Sequence, residues 1–426
     1  MRKILISRVN RNLLLLFLVS NVIAFLTVVF IPAKAAKENI EFLFLLNSVF
    51  VFGIIFISVI TYISIAPFRC SSGLNQNSMP NDLLKKNVKL LIKAPIIGFI
   101  LLLFDRMFVR GIDYSQGLRY ARYDWLASAS SGGGVFGVVA NLLIPVSYVG
   151  IFVLITQGEN IKKNKAWLIF ATLIGVFGHA ALNGGRSNIL LAIVMLIIAF
   201  LWKRGRPVKK MGRRMMLLLV ALLGFYYVAY IIQSSASMGG ASLAELVELG
   251  ILSLYGEPNR LFFSKEQSYL MYIVIYMLSY LYHGQWTAQI TSYLNDREGL
   301  YSLTSLPTIL MDKYGLINMD FTGKSFSETG AFISLPGAFY YDFGWLGVVM
   351  LTFILGVLFG LSMHFINSGK RVGTIKLIFI ISILYLLILS PVLPAYGLSY
   401  FYFIMWSFVF VALYNYVIFR KKLYLI

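Results

Sequence analysis

Ten long apolar stretches divide this chain, and they constrain its fold more than any other feature. A helix that crosses a bilayer needs roughly 17–25 apolar residues, and these stretches approach or meet that length. They are residues 13–31, 42–66, 88–104, 135–156, 166–182, 188–202, 215–233, 344–366, 375–393 and 399–419. Because irregular backbone is not tolerated in lipid, the sequence predicts an all-α, polytopic membrane helical bundle. We expect about ten spans, with eleven or twelve as the alternative.

The composition agrees with a membrane protein and excludes several kinds of site. Apolar residues make up 59% of the 426 residues and charged residues 13%, whereas a soluble domain has about 45–50% and about 25%. The single cysteine, Cys70, excludes a disulfide framework and a cysteine-rich metal site. The three histidines lie far apart in the sequence, so no local histidine-rich metal motif exists. We therefore expect no metal and no cofactor.

The basic residues are distributed as the positive-inside rule requires. With the N-terminus inside, the inner segments hold 25 of the 37 lysines and arginines, but only Asp82 and Glu159 of the 17 acidic residues. The net charge of +20 therefore indicates topology and not a nucleic-acid-binding surface. Both termini are expected on the inner side.

Two segments on the predicted outer side are long enough to build a site. They are the first outer loop, 105–134, and a large outer loop, 234–343; the whole chain, 1–426, otherwise forms one transmembrane domain. The large loop contains the apolar stretch 269–282, which is only 14 residues long. If that stretch spanned, the basic residues around Lys370 and Arg420 would lie outside. We therefore predict a non-spanning helix in the plane of the outer interface.

Arginines on the outer side form the first candidate site. Arginine presents a planar fork of donors that matches phosphate oxygens, and glycines beside an arginine let backbone N–H groups approach an anion. The sequence Gly-Gly-Arg-Ser at 184–187 predicts such a tight turn. The residues predicted to include a diphosphate-binding clamp are Arg119, Arg122, Arg186 and Arg260. The alternative is that single arginines extend to lipid headgroups or pair with acids.

Aromatic residues of the large loop form the second candidate site. Tyrosines at 269, 272, 276 and 280 recur at spacings of three and four with His283, so they share one helical face. Aromatic faces beside carboxylates suit sugar rings, although aromatic residues also concentrate at membrane interfaces. The predicted sugar-binding residues are Tyr276, Tyr280, Trp286 and Tyr341.

A glycosyl transfer needs a base near the acceptor hydroxyl and positive charge at the leaving phosphate. The candidate bases in the large loop are His283, Glu328 and Asp342. We expect the helix 269–280 and a turn at 283–286 to form one wall of an outer cavity. Residues 328–342 are expected to lie opposite that wall.

The arrangement resembles the O-antigen polymerases, the Wzy-type oligosaccharide repeat unit polymerases. The shared features are the number of spans, an arginine-rich early outer loop, Gly-Gly-Arg-Ser entering a span, and a long late outer loop. Residues 328–331 and 336–347 resemble that family's entry into the span after its long loop, an aromatic-Asp-Phe-Gly-x-x-Gly turn. Some members carry an Arg-x10-Gly pattern, which two pairs fit here: Arg106 with Gly117, and Arg122 with Gly133.

The resemblance implies a GT-C-like, metal-independent glycosyltransferase in the inner membrane of a bacterium. Such an enzyme polymerises polyprenyl-diphosphate-linked repeat units into O-antigen or a related surface polysaccharide at the periplasmic face. Its partners would be the lipid-linked donor and acceptor glycans, membrane lipid and a chain-length regulator protein. The alternatives that the residues leave open are an O-antigen ligase and a lipid-linked oligosaccharide flippase or other transporter.

Overall fold

The structure is a computed structural model and is helical almost throughout. It describes residues 8–33, 39–65, 87–115, 117, 120–122, 124–125, 134–158, 161, 164–183, 187–202, 224, 242–255, 258–293, 302, 304–317, 332–367 and 372–423. Over these ranges no strand forms, and an isolated antiparallel bridge joins Ala33 to Pro258. The predicted all-α class is confirmed.

The helices follow the apolar stretches of the sequence. The α-helices are Arg8–Phe30, Ile40–Ile65, Val88–Phe104, Val135–Leu143, Val146–Gln157, Lys165–Leu173, His179–Asn183, Ser187–Trp202, Leu243–Tyr255, Arg260–Phe263, Tyr269–Ile290, Leu306–Lys313, Leu335–Asn367, Thr374–Leu389 and Ser399–Leu423. Two π-helical turns, Asp105–Val109 and Ile174–Gly178, continue α-helices, and a 3₁₀ turn covers Ala395–Gly397.

Six helices in the described part of the chain are long and apolar enough to cross a membrane. They are Val9–Phe30, Ile40–Ile65, Val135–Gln157, Lys165–Asn183, Leu335–Asn367 and Ser399–Val417. Each coincides with one of the ten predicted spans, and together they have the character of a multi-pass membrane protein. The total of ten spans remains a prediction.

The other four predicted spans differ from these six. The helix Val88–Phe104 has 17 residues, and Ser187–Trp202 and Thr374–Leu389 are apolar helices of 16 residues. The predicted span 375–393 therefore contains a helix that ends four residues early, at Leu389. The predicted span 215–233 lies outside the described residues except for Gly224.

The chain divides into two compact units. The first consists of Met1–Ser72, Met238–Ser368 and Ile383–Ser399, and the second of Gly73–Ser237, Gly369–Ser382 and Tyr400–Ile426. In the first unit, Phe17 packs edge-to-face on Phe50 and Phe359, with ring centroids 6.2 and 6.3 Å apart. In the second unit, Phe152 packs in the same way on Phe408 at 6.0 Å.

Glycines let two long helices of the first unit approach closely. Gly356 and Gly360 in Leu335–Asn367 face the helix Ile40–Ile65, and a β-carbon at Gly360 would lie 2.7 Å from the carbonyl oxygen of Ser58. Small residues four apart are a common device for close packing of helices in membranes. The same long helix is interrupted at Gly344, where φ is 62° and ψ is −154°. This break coincides with the start of the predicted span 344–366.

The structure corrects the expectation for the region around His283. The 14-residue apolar stretch belongs to a 22-residue helix, Tyr269–Ile290, and the predicted turn at 283–286 is wrong. Gly284 acts by its small size, because a β-carbon there would lie only 2.1 Å from the carbonyl oxygen of Val392. The helix continues because its polar end is satisfied within the first unit: Gln285 accepts a hydrogen bond from Asn47 at 2.7 Å and donates to the carbonyl of Pro391 at 2.6 Å.

Candidate functional site

A buried polar cluster occupies the second unit. We use that name for Asp105, Arg106, Arg110, Asn141, His179, Asn183 and Asn188, which come from the ends or interiors of apolar helices. Ionisable residues among apolar helices are costly and mark functional sites in membrane proteins more often than they serve packing. The cluster is therefore the candidate functional site of this unit.

Both π-helical turns adjoin this cluster. Asp105–Val109 carries the first two charged members, and Ile174–Gly178 immediately precedes His179. Turns of this kind within α-helices occur frequently at functional sites. Gly178 permits close packing here, because a β-carbon at this position would lie 2.5 Å from the ring of Phe99 in the helix Val88–Phe104. The packing brings the ends of two helices together, with their polar residues between them.

The carboxylate of Asp105 is fully buried and faces two arginines. Its Oδ2 atom lies 3.0 Å from Nε of Arg110 and 3.6 Å from Nη1 of Arg106. The carboxylate also packs on the backbone of the following segment, since β-carbons at Gly134 and Gly137 would lie 2.5 and 2.9 Å from its oxygens. Two guanidinium groups and one carboxylate leave the cluster with one excess positive charge.

Arg106 is the residue of the cluster that has unused hydrogen-bond donors over the described residues, and Oδ1 of Asp105 is an unused acceptor there. Its side chain is 3% exposed, its Nη2 donates to Oδ1 of Asn183 at 2.9 Å, and its guanidinium lies 4.6 Å above the ring centre of Trp125. Over the described residues, its Nε and Nη1 atoms have no hydrogen-bond acceptor. Burial, with the nearby charge of Arg110, lowers the pKa of Arg106 to about 10, so it remains charged at neutral pH. A buried cation with spare donors is suited to binding an anion.

His179 lies at the centre of the uncharged part of the cluster. Its Nε2 atom is 2.7 Å from Nδ2 of Asn183 and 3.0 Å from Oδ1 of Asn141, and its Nδ1 atom is 2.5 Å from Nδ2 of Asn188. Its ring stacks on that of Tyr400 with centroids 4.5 Å apart. Three amide side chains and one aromatic ring therefore surround this imidazole, and a neutral imidazole can accept a hydrogen bond at one of its two nitrogens only.

The arginines predicted to form a diphosphate clamp are only partly described. Arg119 and Arg186 lie outside the described residues. Arg122 is exposed in the second unit, and Arg260 is exposed at the start of the short helix Arg260–Phe263 in the first unit. The helix His179–Asn183 ends, and Ser187–Trp202 begins, on either side of the predicted Gly-Gly-Arg turn. The clamp remains a prediction.

The predicted base His283 lies in the first unit, buried in its helix. Its ring is 5.8 Å from the ring of Phe332 and 6.2 Å from that of Trp286, measured between centroids. The backbone N–H of Ser334 donates to the carbonyl of Gly284 at 2.9 Å. Residues 332–334 thus contact this helix directly and do not face it across a cavity at this level. Burial lowers the pKa of His283, which lies outside the six candidate spans, to about 4.

The other two predicted bases are Asp342, which is among the described residues, and Glu328. Oδ2 of Asp342 accepts a hydrogen bond from the backbone N–H of Ser302 at 2.6 Å. The carbonyl of the same serine accepts from the hydroxyl of Tyr396 at 2.5 Å. Asp342 therefore has a hydrogen-bond partner within the protein, and such a partner is compatible with a structural or a catalytic carboxylate. Glu328 lies outside the described residues.

The predicted sugar-binding residues are exposed to different degrees. Tyr276 and Trp286 are half-buried, and Tyr280 lies in the same helix. Tyr341 is 1% exposed, so its ring could meet a sugar only if its neighbours moved. Tyr272, on the predicted tyrosine face, is buried with its ring 6.5 Å from that of Phe263.

Sequence reasoning placed Arg106 in an arginine-rich loop without assigning it to the site, and it missed the asparagines of the cluster. A signal for them was present, because Asn141 lies within the predicted span 135–156 and Asn188 begins the predicted span 188–202. Amide side chains in apolar stretches need hydrogen-bond partners.

The three-dimensional arrangement combines buried positive charge, amides and nearby apolar helices, which suits an anion that carries an apolar chain. Comparisons with known protein families, characterised proteins and solved structures find no match for this chain.

Proposed function

We propose that this protein is a membrane glycosyltransferase that polymerises polyprenyl-diphosphate-linked oligosaccharide repeat units. The growing glycan leaves its lipid diphosphate and joins the free end of a fresh lipid-linked unit, and the product is O-antigen or a related surface polysaccharide. The proposal includes a location in the bacterial inner membrane with both termini cytoplasmic and the reaction on the periplasmic side.

The observation that supports this proposal is the buried Arg106 beside apolar helices. A polyprenyl diphosphate combines a long apolar chain with a compact anionic head, and the buried polar cluster offers the matching environment. As the glycosidic bond breaks, negative charge grows on the departing diphosphate oxygen. Spare N–H donors of a fixed guanidinium would stabilise that charge without a metal. Arg119, Arg122, Arg186 and Arg260 remain proposed diphosphate-binding residues.

The test is deletion of the gene followed by separation of the surface glycans on a gel. Loss of the polymer ladder with retention of a single attached repeat unit would support polymerisation. Loss of the single unit as well would contradict it, because that pattern is expected of a ligase or a flippase. Re-expression of the wild-type protein is the control that assigns the change to this chain.

A lipid-linked oligosaccharide transporter is the second candidate. The observation that favours it is the buried Asp105 with its two arginines, because paired charges among apolar helices also mark transport pathways. The two candidates differ in vesicles that contain the purified protein. A transporter would move a labelled lipid-linked unit across the bilayer, whereas a polymerase would lengthen it.

A further inference from the structure

Two asparagines bracket residues 184–186, and both contact one histidine. Asn183 ends one helix and Asn188 lies in the first turn of the next. Their amide nitrogens lie 2.7 and 2.5 Å from Nε2 and Nδ1 of His179. One imidazole therefore lies between the two chain segments that enter and leave this short connection. With its proton on Nδ1, the Nε2 atom accepts a hydrogen bond from the amide of Asn183.

The contact continues to the buried arginine. The Oδ1 atom of Asn183 accepts from Nη2 of Arg106, while Nδ2 of the same amide meets His179. An amide that uses both ends in this way has one favourable orientation. Asn183 thereby determines which N–H of the guanidinium is occupied. The Nε and Nη1 atoms have no hydrogen-bond acceptor over the described residues, and Nη1 lies 3.6 Å from Oδ2 of Asp105.

The histidine is itself held from other directions. Asn141 contacts Nε2 from the helix Val135–Leu143, and the ring of Tyr400 stacks on the imidazole. The hydroxyl of Tyr148 donates to the carbonyl of Asn188 at 2.8 Å. A support built from several helices keeps a binding group oriented before its ligand arrives, which raises affinity.

We propose that His179 is a positioning residue that acts through Asn183 to hold Arg106 in the orientation in which its Nε and Nη1 donors reach a lipid-linked diphosphate. This inference rests on the proposed function, because it assigns those donors to the substrate's phosphate oxygens. His179 itself does not contact the diphosphate.

The test uses the purified full-length protein in detergent, with farnesyl diphosphate as a short-chain probe. Because Trp125 lies over Arg106, binding should change its fluorescence, and Trp125→Phe identifies that signal among the six tryptophans. His179→Ala should weaken binding about ten-fold, because Arg106 is then no longer held in place and loses about one charge-assisted hydrogen bond to the diphosphate. His364→Ala is the matched control and should bind normally, since it removes a histidine of the first unit, outside the buried polar cluster.

A double-mutant cycle separates positioning from a general structural role. In the Arg106→Gln background, His179→Ala should cause no further loss of affinity, because the group that it positions is gone. An equal ten-fold loss in both backgrounds would overturn the inference. If His179→Ala does not fold, Asn183→Ala breaks the same connection and carries the same expectation.

The outcomes also distinguish this inference from the proposed function. Absence of farnesyl diphosphate binding by the wild-type protein would overturn both. Binding that Arg106→Gln weakens and His179→Ala leaves unchanged would overturn the positioning role and leave the proposed function standing.

Discussion

Arg106 carries a full charge at a position that is 3% exposed. Even with its pKa lowered to about 10, the side chain keeps its proton at neutral pH. Its charge must therefore be balanced by Asp105, by hydrogen-bond acceptors or by a bound anion. Asp105 is shared with Arg110, which leaves room for an anion.

Under the proposed function, replacement of Arg106 should lower the rate of polymerisation. The yield of folded protein should fall by a smaller factor. Arg106→Gln should reduce the rate about ten- to a hundred-fold, the effect of one lost charge-assisted contact. Arg106→Lys should recover little of it, because lysine lacks the planar fork. The rate is measured with purified lipid-linked repeat units, and Arg11→Gln, at an exposed arginine of the first helix, is the control. A normal rate for Arg106→Gln would place the phosphate contacts elsewhere.

His283 should make stability depend on pH. Its pKa is about 4 in the folded chain and about 6.5 when unfolded, so between these values only the unfolded state gains a proton. The free energy of unfolding should therefore fall as the pH is lowered, by about 2 kcal/mol between pH 7.5 and pH 5. Unfolding measured at both pH values should show this loss in the wild type and a smaller one in His283→Gln. Equal losses in both proteins would show that other groups cause the effect.

At the scale of helices and turns, the sequence predicts what depends on local composition. Apolar stretches located the six long helices, since backbone groups in lipid must bond within their own helix. The predicted turn at 283–286 contains Gly284, yet this glycine lies inside a helix and permits close contact with Val392, which is 108 positions away in the chain. The link between Arg106 and Asn183 spans 77 positions. No local pattern could reveal contacts at such separations, and so the cluster was not predicted.

The packing of Ile40–Ile65 against Leu335–Asn367 should fail when a glycine is enlarged. Gly360→Leu would drive a side chain into the backbone at Ser58, a strain of about 1–3 kcal/mol or more. A lower midpoint of thermal unfolding in detergent is expected. Gly250→Leu is the matched control, because it also places leucine in a helix but meets nothing within 4 Å. Equal midpoints for the two variants would contradict the close approach.

At the scale of the whole molecule, the orientation in the membrane rests on the positions of lysine and arginine. Charge counts work because basic residues are retained on the inner side. The helix Tyr269–Ile290 decides the number of spans, since its 22 residues exceed the predicted apolar stretch 269–282. If it spans, every later segment changes side.

Cysteine labelling of intact cells decides the orientation. Cys70 is the single cysteine, so a Cys70→Ser chain provides a clean background for introduced cysteines. Those at Gly205, Lys370 and Tyr424 should be protected from an impermeant reagent, and those at Gly256 and Asn295 should react. Labelling at Lys370 would show that Tyr269–Ile290 spans and that ten spans is the wrong number.

The π-helical turn Ile174–Gly178 makes the position of His179 depend on how many residues the turn contains as well as on which residues they are. Each residue of an α-helix advances the chain by about 100° around the axis. A π-helical turn has i→i+5 bonds and holds about one residue more than an α-helical turn, so deletion of one residue from it would leave an ordinary α-helix with His179 and Asn183 on nearly the same face. Such a deletion would keep every polar group of the cluster and remove only the widened turn, and it would therefore separate the contribution of the backbone from that of the side chains.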